Sequence, residues 1–388
     1  MLKEFKVYYG GTPATQDQLD AIQEIVVEQE IGRAWEARIK VPICISEDGS
    51  WAGEDDPAYA EFARVRVEAR IGDGDFVPLI DGRIVDQDPG MNASPGNSML
   101  TLTVHDDTTL LHREAASESF PPGQSDSDIA RSVLSAAALG GVVEVDDTGA
   151  PSDSDAVVQR HGTPMQLLRS LMARHRDFHA YVLPGAAPGT SDSYFKKLPD
   201  DPDPSLPDLV LTGAERNISE FNIQRMANRA ARYTSSSLNM SDKSVSDATS
   251  DSSSVAPADG EASTMAGGAD VRVRRLAPGT GDHTDVSEAA EGAALNSSFT
   301  VVAQGSVLPL CYGAILSPYR RVRAKLSNSR YSTSYVIFKV THTLGMSEYT
   351  QSFSVRGNAV SPASSLSASL PSPSAAISAA FNVQVDIF

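Results

Sequence analysis

Cysteine is nearly missing from this chain of 388 residues. Cys44 and Cys311 lie in separate apolar segments, which excludes a disulfide framework, fits a reducing compartment and predicts two small buried hydrophobes. Tryptophan is as scarce, present only as Trp35 and Trp51, and few aromatics fall in the turns, which argues against a carbohydrate-binding or adhesive surface. No run of about 18 apolar residues occurs. The start, MLKEFKVYYGG, lacks an apolar core followed by a small-residue cleavage site, so the expectation is a soluble protein made in the cytosol, with no membrane in its working state. Positive charge is short as well: 32 Lys and Arg face 50 Asp and Glu, leaving a formal charge of -18. Repulsion from phosphate then opposes tight binding to nucleic acid, although DNA could pass nearby without sticking.

Catalytic patterns are also absent. The sequence has no phosphate loop, dinucleotide fingerprint, nucleophile elbow or paired-cysteine zinc signature. Of the seven histidines, His175 and His179 in HRDFH have the i, i+4 spacing of a helical chelate, but the intervening Arg176, Asp177 and Phe178 lack the glutamate of a metalloprotease motif. A solvated helix end is the plainer reading. His105 and His112 flank Asp106 and Asp107, which a strand-to-turn passage explains. His342 shares a strand face with apolar residues and reads as a hydrogen-bonded core histidine. The SDSD clusters at 125–128 and 152–155 lack the glycine and distal glutamate of a calcium loop, and the first reads as a helix cap. GDGDF at 72–76 is a turn. Arg321 and Arg323, in YRRVRAK, read as the solvated or interface face of a strand. No catalytic, cofactor-binding or metal-ligating residue is assigned, and no cofactor is expected.

What the chain does have is alternation. Ile25, Val27, Gln29 and Ile31, then Trp35, Ala37, Ile39 and Val41, follow a period of two. Val65, Val67, Ala69 and Ile71 face one way, and Arg64, Arg66, Glu68 and Arg70 the other. Gly72-Asp73-Gly74-Asp75 supplies a hairpin turn. Leu100, Leu102 and Val104 close the series, so residues 1–111, which include the polar stretch TPATQDQLDAIQ, read as an antiparallel β-barrel.

Residues 112–190 change character. SDSDIARSVLSAAALGG is a helix that stops at Gly140-Gly141, and Thr163 and Pro164 open a second. Residues 191–360 return to strands, with Phe221, Ile223 and Arg225 alternating. This region encloses residues 235–270, which hold 11 serines in 36 positions and read as a flexible loop. DVSEAAEGAALNSS is a helix with capping residues Asp285 and Glu288. In the hairpin YSTSYVIFKVTHTLGMSEYTQSFSVRGNA, Val336, Phe338, Val340 and Leu344 face a core, opposite Tyr349, Phe353 and Val355. Thr341, Thr350, Ser352, Ser354 and Arg356 are left for a neighbour or a channel. Residues 361–388 are a Ser/Pro linker and a terminal strand. The fold class is α+β, mainly β: two tube-like barrels around a small α+β insert.

Four stretches in this order, FVPLIDGRIVDQDPG, MLTLTVHDDTTLLHRE, VVQRHGTPMQLLRSLMARHRDFHAYV and the final hairpin, resemble the late control protein D family, the tail hubs of contractile phages. The chain is similar, too, to the N-terminal half of valine-glycine-repeat spike proteins. The resemblance covers about residues 20–358. It implies a structural baseplate hub and no enzyme: a homotrimer whose six barrels adapt a hexameric tail tube to a trimeric spike around a central channel. Implied partners are the tail tube protein or tube initiator above, a separate spike protein below and other baseplate proteins. DNA would pass the acidic channel without specific binding. The implied location is the virion tail baseplate, assembled in the host cytoplasm. A tail-associated wall hydrolase using His175 or His179 is the enzymatic alternative.

Overall fold

The computed structural model describes residues 3–46, 49–53, 56–94, 96–150, 157–229, 231–238, 243–257, 259–263, 272–276, 286–345 and 348–361. Asp285, the second SDSD cluster and the terminal strand lie outside them.

The alternating stretches form strands. The first half holds β1 (Lys3–Tyr9), β2 (Glu24–Glu30), β3 (Glu36–Pro42), β4 (Arg64–Ile71), β5 (Val77–Gly90) and β6 (Met99–Asp106). A short helix, α1 (Gln16–Ala21), precedes β2 inside the stretch read only as polar. Its signal was local: Thr15 and Gln18 cap each other reciprocally. Gly72, at φ 62°, makes the turn between β4 and β5.

The insert holds α2 (Asp126–Ala136), β7 (Gly140–Val145), α3 (Pro164–Met172), β8 (Phe178–Pro184) and β9 (Ser191–Lys197). Ser125 caps α2, and Thr163 with Gln166 caps α3. β9 is the middle strand of a three-stranded sheet, on which Ile129, Leu134, Leu168 and Leu171 of the helices form one core with Phe178 and Phe195.

The second half holds β10 (Ile218–Arg225), β11 (Ala231–Leu238), β12 (Val245–Asp251), β13 (Arg272–Arg275), α4 (Val286–Ser298), β14 (Val301–Val307), β15 (Arg321–Lys325), β16 (Ser334–Gly345) and β17 (Tyr349–Gly357). The Ser-rich region is therefore not a structureless loop where it is described. β11 and β12 pair from Arg232↔Asp251 to Leu238↔Val245, and β13 runs parallel on the other side of β11. Composition missed this because backbone hydrogen bonds form the ladder and a neighbouring helix covers it: α4, with Ala289, Ala290 and Ala294 buried, packs on β11 and β12.

The two halves repeat one strand order. In the first, β2–β3–β6–β5–β4 are neighbours in that order; in the second, β10–β14–β17–β16–β15. Counted along the chain among these five strands of each half, both read first, second, fifth, fourth, third. In each case a preceding strand pairs with the third: β1 antiparallel to β4, and Leu209–Val210 parallel to β15. Matching the ladders makes Ile84 equivalent to Ile337, because Ile84 faces Val104 and Ile337 faces Val355. Both fourth strands then shift register by one residue, at Val85 and at Phe338, a β-bulge at the same place. Two residues before each third strand, Phe62 and Tyr319 take φ of 62° and 64°, a left-handed conformation costly for an aromatic residue.

Candidate functional site

Among the described residues, one β-ladder, the seam, joins the two halves. The first three residues of β16 pair with β15, as Val336↔Arg321 and Ser334↔Arg323. Beyond the bulge at Phe338 the strand changes partner, and Lys339–Gly345 pair with Glu30–Glu24 of β2. The N–H of Ile31 donates to the Phe338 carbonyl at 3.0 Å, at the switch itself. The bulge shifts the alternation by one. Tyr335, Ile337 and Val340 enter the second core, while Phe338 does not. Its ring instead lies under the Arg356 guanidinium, 3.2 Å from the ring centroid. The expected core face of β16 is thus corrected at Phe338; Tyr349, Phe353 and Val355 of β17 are buried as expected.

Buried polar groups cross the seam in one chain. The Tyr349 hydroxyl lies 2.8 Å from His342 Nδ1, His342 Nε2 lies 3.2 Å from Gln29 Oε1, and Gln29 Nε2 donates to the Leu79 carbonyl at 2.7 Å. Because the Gln29 amide nitrogen is committed to Leu79, its oxygen accepts, so His342 carries its proton on Nε2 and accepts from Tyr349. Burial lowers the His342 pKa to about 3 and keeps the ring neutral. At the rim, Lys339 Nζ lies 2.6 Å from Glu28 Oε2.

A charged cluster holds the insert against the first half. Asp81, with a fully buried side chain, binds Arg64 Nε at 2.6 Å and Arg66 Nη1 at 3.1 Å, and accepts from the Gly189 N–H at 2.9 Å. Asp107 takes Arg64 Nη2 at 2.6 Å and the Ser191 hydroxyl at 2.8 Å, and Arg66 donates to the carbonyls of Gly185 and Ala187. Arg66 and Glu68, expected on an outer face, are buried because residues 185–189 cover them.

Aromatic contacts add a third tie. Tyr319 stacks on Tyr181 with centroids 3.7 Å apart, and its hydroxyl accepts from the Gly32 N–H at 3.0 Å. It joins the insert, the second half and the end of β2.

The remaining expected residues fall as follows. α3 ends at Met172 and His179 lies in β8, so His175 and His179 do not share a helix face. Nor is His175 solvated: its ring nitrogens contact Asp126 at 2.8 Å and Glu288 at 3.0 Å. Burial pulls its pKa down, but the two carboxylates outweigh this and leave it raised. Both ring nitrogens are engaged by carboxylates, and the residue ties α2 to α4.

His105 lies 3.3 Å from Glu36, and Asp106 caps the turn at Thr108 while accepting from the Trp35 N–H at 3.0 Å. Burial pushes the Asp106 pKa up to about 7. Arg321 is buried rather than solvated; Nε donates to the Pro199 carbonyl, Nη1 has no partner among the described residues, and burial lowers its pKa. Arg323 is exposed. Both cysteines are exposed, correcting the expectation of burial. Each cysteine has one neighbour in a core, Ile43 and Tyr312, and one outside it: Ile45 is 62 % exposed and Leu310 69 %, and the cysteines face outward with the latter. Among the described residues, no group of three or more His, Cys, Asp or Glu side chains could hold a metal ion.

No protein-family model and no curated protein matches the chain. Solved structures do. The 43 kDa tail protein of prophage MuSo2 from Shewanella oneidensis superposes with a TM-score of 0.60 at 16 % identity, over 91 % of this chain and 98 % of that one. The tail protein from Neisseria meningitidis MC58 gives 0.58 at 15 % identity, over 92 % and 97 %. The fold is that of phage tail proteins. An E. coli component of the type VI secretion system, itself structurally similar to the T4 tail proteins gp27 and gp5, gives 0.51 at 9 % identity, over 94 % and 80 %.

Proposed function

We propose that this protein is a structural hub of a contractile phage tail or related injection machine, with no catalytic step of its own. The observation that carries the reading is the internal repeat. One chain holds two copies of the same five-strand arrangement, joined edge to edge at β16 and β2. Three such chains present six copies, which fits a sixfold tube on one side and a threefold spike on the other. Residues 1–111 and 191–360 are then the two tube-like units, and residues 112–190 buttress them through the Asp81 cluster and the Tyr181–Tyr319 stack.

The tail-protein fold along almost the whole chain supports this reading, as does a site built of structural contacts. In this role the partners are the tube protein above, a separate spike protein below and other baseplate proteins, in the tail of the virion. The net charge of -18 suits a passage along which DNA slides without binding. Negative-stain imaging of the purified protein tests the proposal. Rings with three protomers and six lobes are expected; isolated monomers at every concentration, with or without tube protein, would reject it.

A further inference from the structure

The internal repeat supplies a reference for one buried cation. Arg64 opens the third strand of the first half, and Arg321 opens it in the second. Counted along the matched ladders, Asp81 is equivalent to Ser334, and Asp107, just past β6, is equivalent to Asn358, just past β17. Arg64 is held by both of its carboxylates, at 2.6 Å from Asp81 and 2.6 Å from Asp107. Around Arg321 both places are neutral.

Arg321 is nonetheless the more deeply buried of the two, with 3 % of its surface exposed. Among the described residues its guanidinium makes one hydrogen bond, from Nε to the Pro199 carbonyl, and no ion pair, and Nη1 is buried without a partner. Asp177, Asp200 and Asp201 attract it from further off without offsetting its burial, which lowers its pKa. A buried charge with no counter-charge on it is costly.

Arg321 and Asn358 line a cavity of about 480 Å³ between the insert and the second half, a size typical of small-molecule sites. Arg176 and Lys197 bring two more cations to its wall, and Asp177 and Asp200 bring two carboxylates. Asp177 is engaged by His179 at 3.5 Å, whereas Arg176 has only a 3.9 Å contact with Glu291. Lys197 and Asp200 are exposed, so the wall is open to a ligand. The balance around Arg321 is positive, in a chain whose formal charge is -18. A guanidinium fork with free N–H groups matches the paired oxygens of a carboxylate or a phosphate.

We infer that this cavity binds a small phosphate- or carboxylate-bearing molecule, whose oxyanion takes against Arg321 the place that Asp81 and Asp107 take against Arg64. The site is independent of the oligomeric state proposed above. Lys197 and Arg176 add charge to the same group, and Asp177 and Asp200 leave room for hydrogen-bond donors on the rest of the ligand.

Isothermal titration of the full-length protein with inorganic phosphate, and separately with acetate, at constant ionic strength tests the site. Saturable binding of one ion per chain is expected, and the ion that binds more tightly identifies the head group. Asn358→Asp rebuilds on Arg321 a carboxylate of the kind that Asp107 places on Arg64, and should weaken binding about tenfold or more, the worth of one charge-assisted hydrogen bond. Lys197→Ala, a change at an exposed side chain, should weaken it severalfold. Should Asp at 358 prevent folding, as circular dichroism would show, Lys197→Ala decides alone. Binding of neither ion would mean that water serves the guanidinium, and affinity unchanged in the folded variants would place the ion elsewhere; either result would overturn the site.

Discussion

At the position where β5 leaves β4, five residues lie exposed; at the same position of the other half, β16 carries its residues into a ladder with β2. The strand order is the same, the bulge is at the same place, and the aromatic residue before the third strand is strained in the same way. What differs is the company each edge keeps. Lys339 has Glu28 beside it and His342 has Gln29, while the equivalent stretch of β5 offers Asp86 and Asp88 to solvent. The difference teaches that the same strand edge is covered in one half by the chain itself and left open in the other among the described residues.

The halves also part company at the third strand, and the largest predicted effect lies there. Arg64 and Arg321 are equivalent, but the residue set diagonally across from them is Asp81 in one half and Ser334 in the other. Asp81→Ala leaves Arg66 buried with one of its two carboxylate partners gone and strips Arg64 of Asp81. It is expected to cost about 3–5 kcal/mol, whereas Ser334→Ala is expected to cost under about 1 kcal/mol. Urea denaturation measures both; equal losses would break the comparison.

The buried chain across the seam comes next. His342→Ala opens a cavity and leaves Gln29 and Tyr349 without that partner, for an expected loss of about 2–4 kcal/mol. Its pH dependence has a definite sign. The native ring titrates at about 3 and an unfolded histidine near 6.5, so the unfolded chain binds more protons between those values. The contribution of neutral His342 is therefore complete above about pH 6.5 and falls away as pH drops toward 3. Asp106 acts in the opposite sense: with its native pKa raised to about 7, it costs stability as pH rises from about 4. Comparing wild type with His342→Gln isolates the histidine. The stability gap between them should narrow from pH 7 to pH 4, and a gap that widens would contradict the buried neutral ring.

A smaller effect separates two glycines that lie on opposite strands of equivalent cross-strand pairs, with the sizes reversed. Gly82 faces Asp106 in the first half, and Tyr335 lies over Gly357 in the second. A Cβ on Gly82 would stand 2.0 Å from the His105 carbonyl oxygen, so backbone must move. A Cβ on Gly357 would stand 2.9 Å from the Tyr335 ring, which turns more readily. Gly82→Ala is expected to cost about 1–3 kcal/mol and Gly357→Ala less, as thermal melts would show. Lys339→Ala removes only a rim ion pair and should cost about 0.2–1 kcal/mol.

Much of this fold was legible from alternation and caps. β2, β3, β4 and β6 follow their apolar rows, and Ser125 and Thr163 mark two helix starts because a side-chain oxygen there satisfies an amide nothing else reaches. Phe338 was misread because a bulge is one extra residue with no sequence signature, and every position beyond it changes face. The burial of Arg66 and Glu68 depends on residues 185–189, more than a hundred positions away. Asp81 was invisible for the same reason: nothing local tells a carboxylate at a strand centre that two guanidiniums will converge on it. The repeat is faint in the letters: Arg64-Val65-Arg66 and Arg321-Val322-Arg323 stand at equivalent positions, but so do Gly82 and Tyr335, Asp86 and Lys339, Gln87 and Val340. Strand order is carried by which edges pair, and that is decided by the whole core.

The most direct test of the central claim is the native mass of the full-length protein at low and high concentration. The account predicts three times the mass of one chain. A protein that stays at the mass of a single chain at every concentration would contradict it.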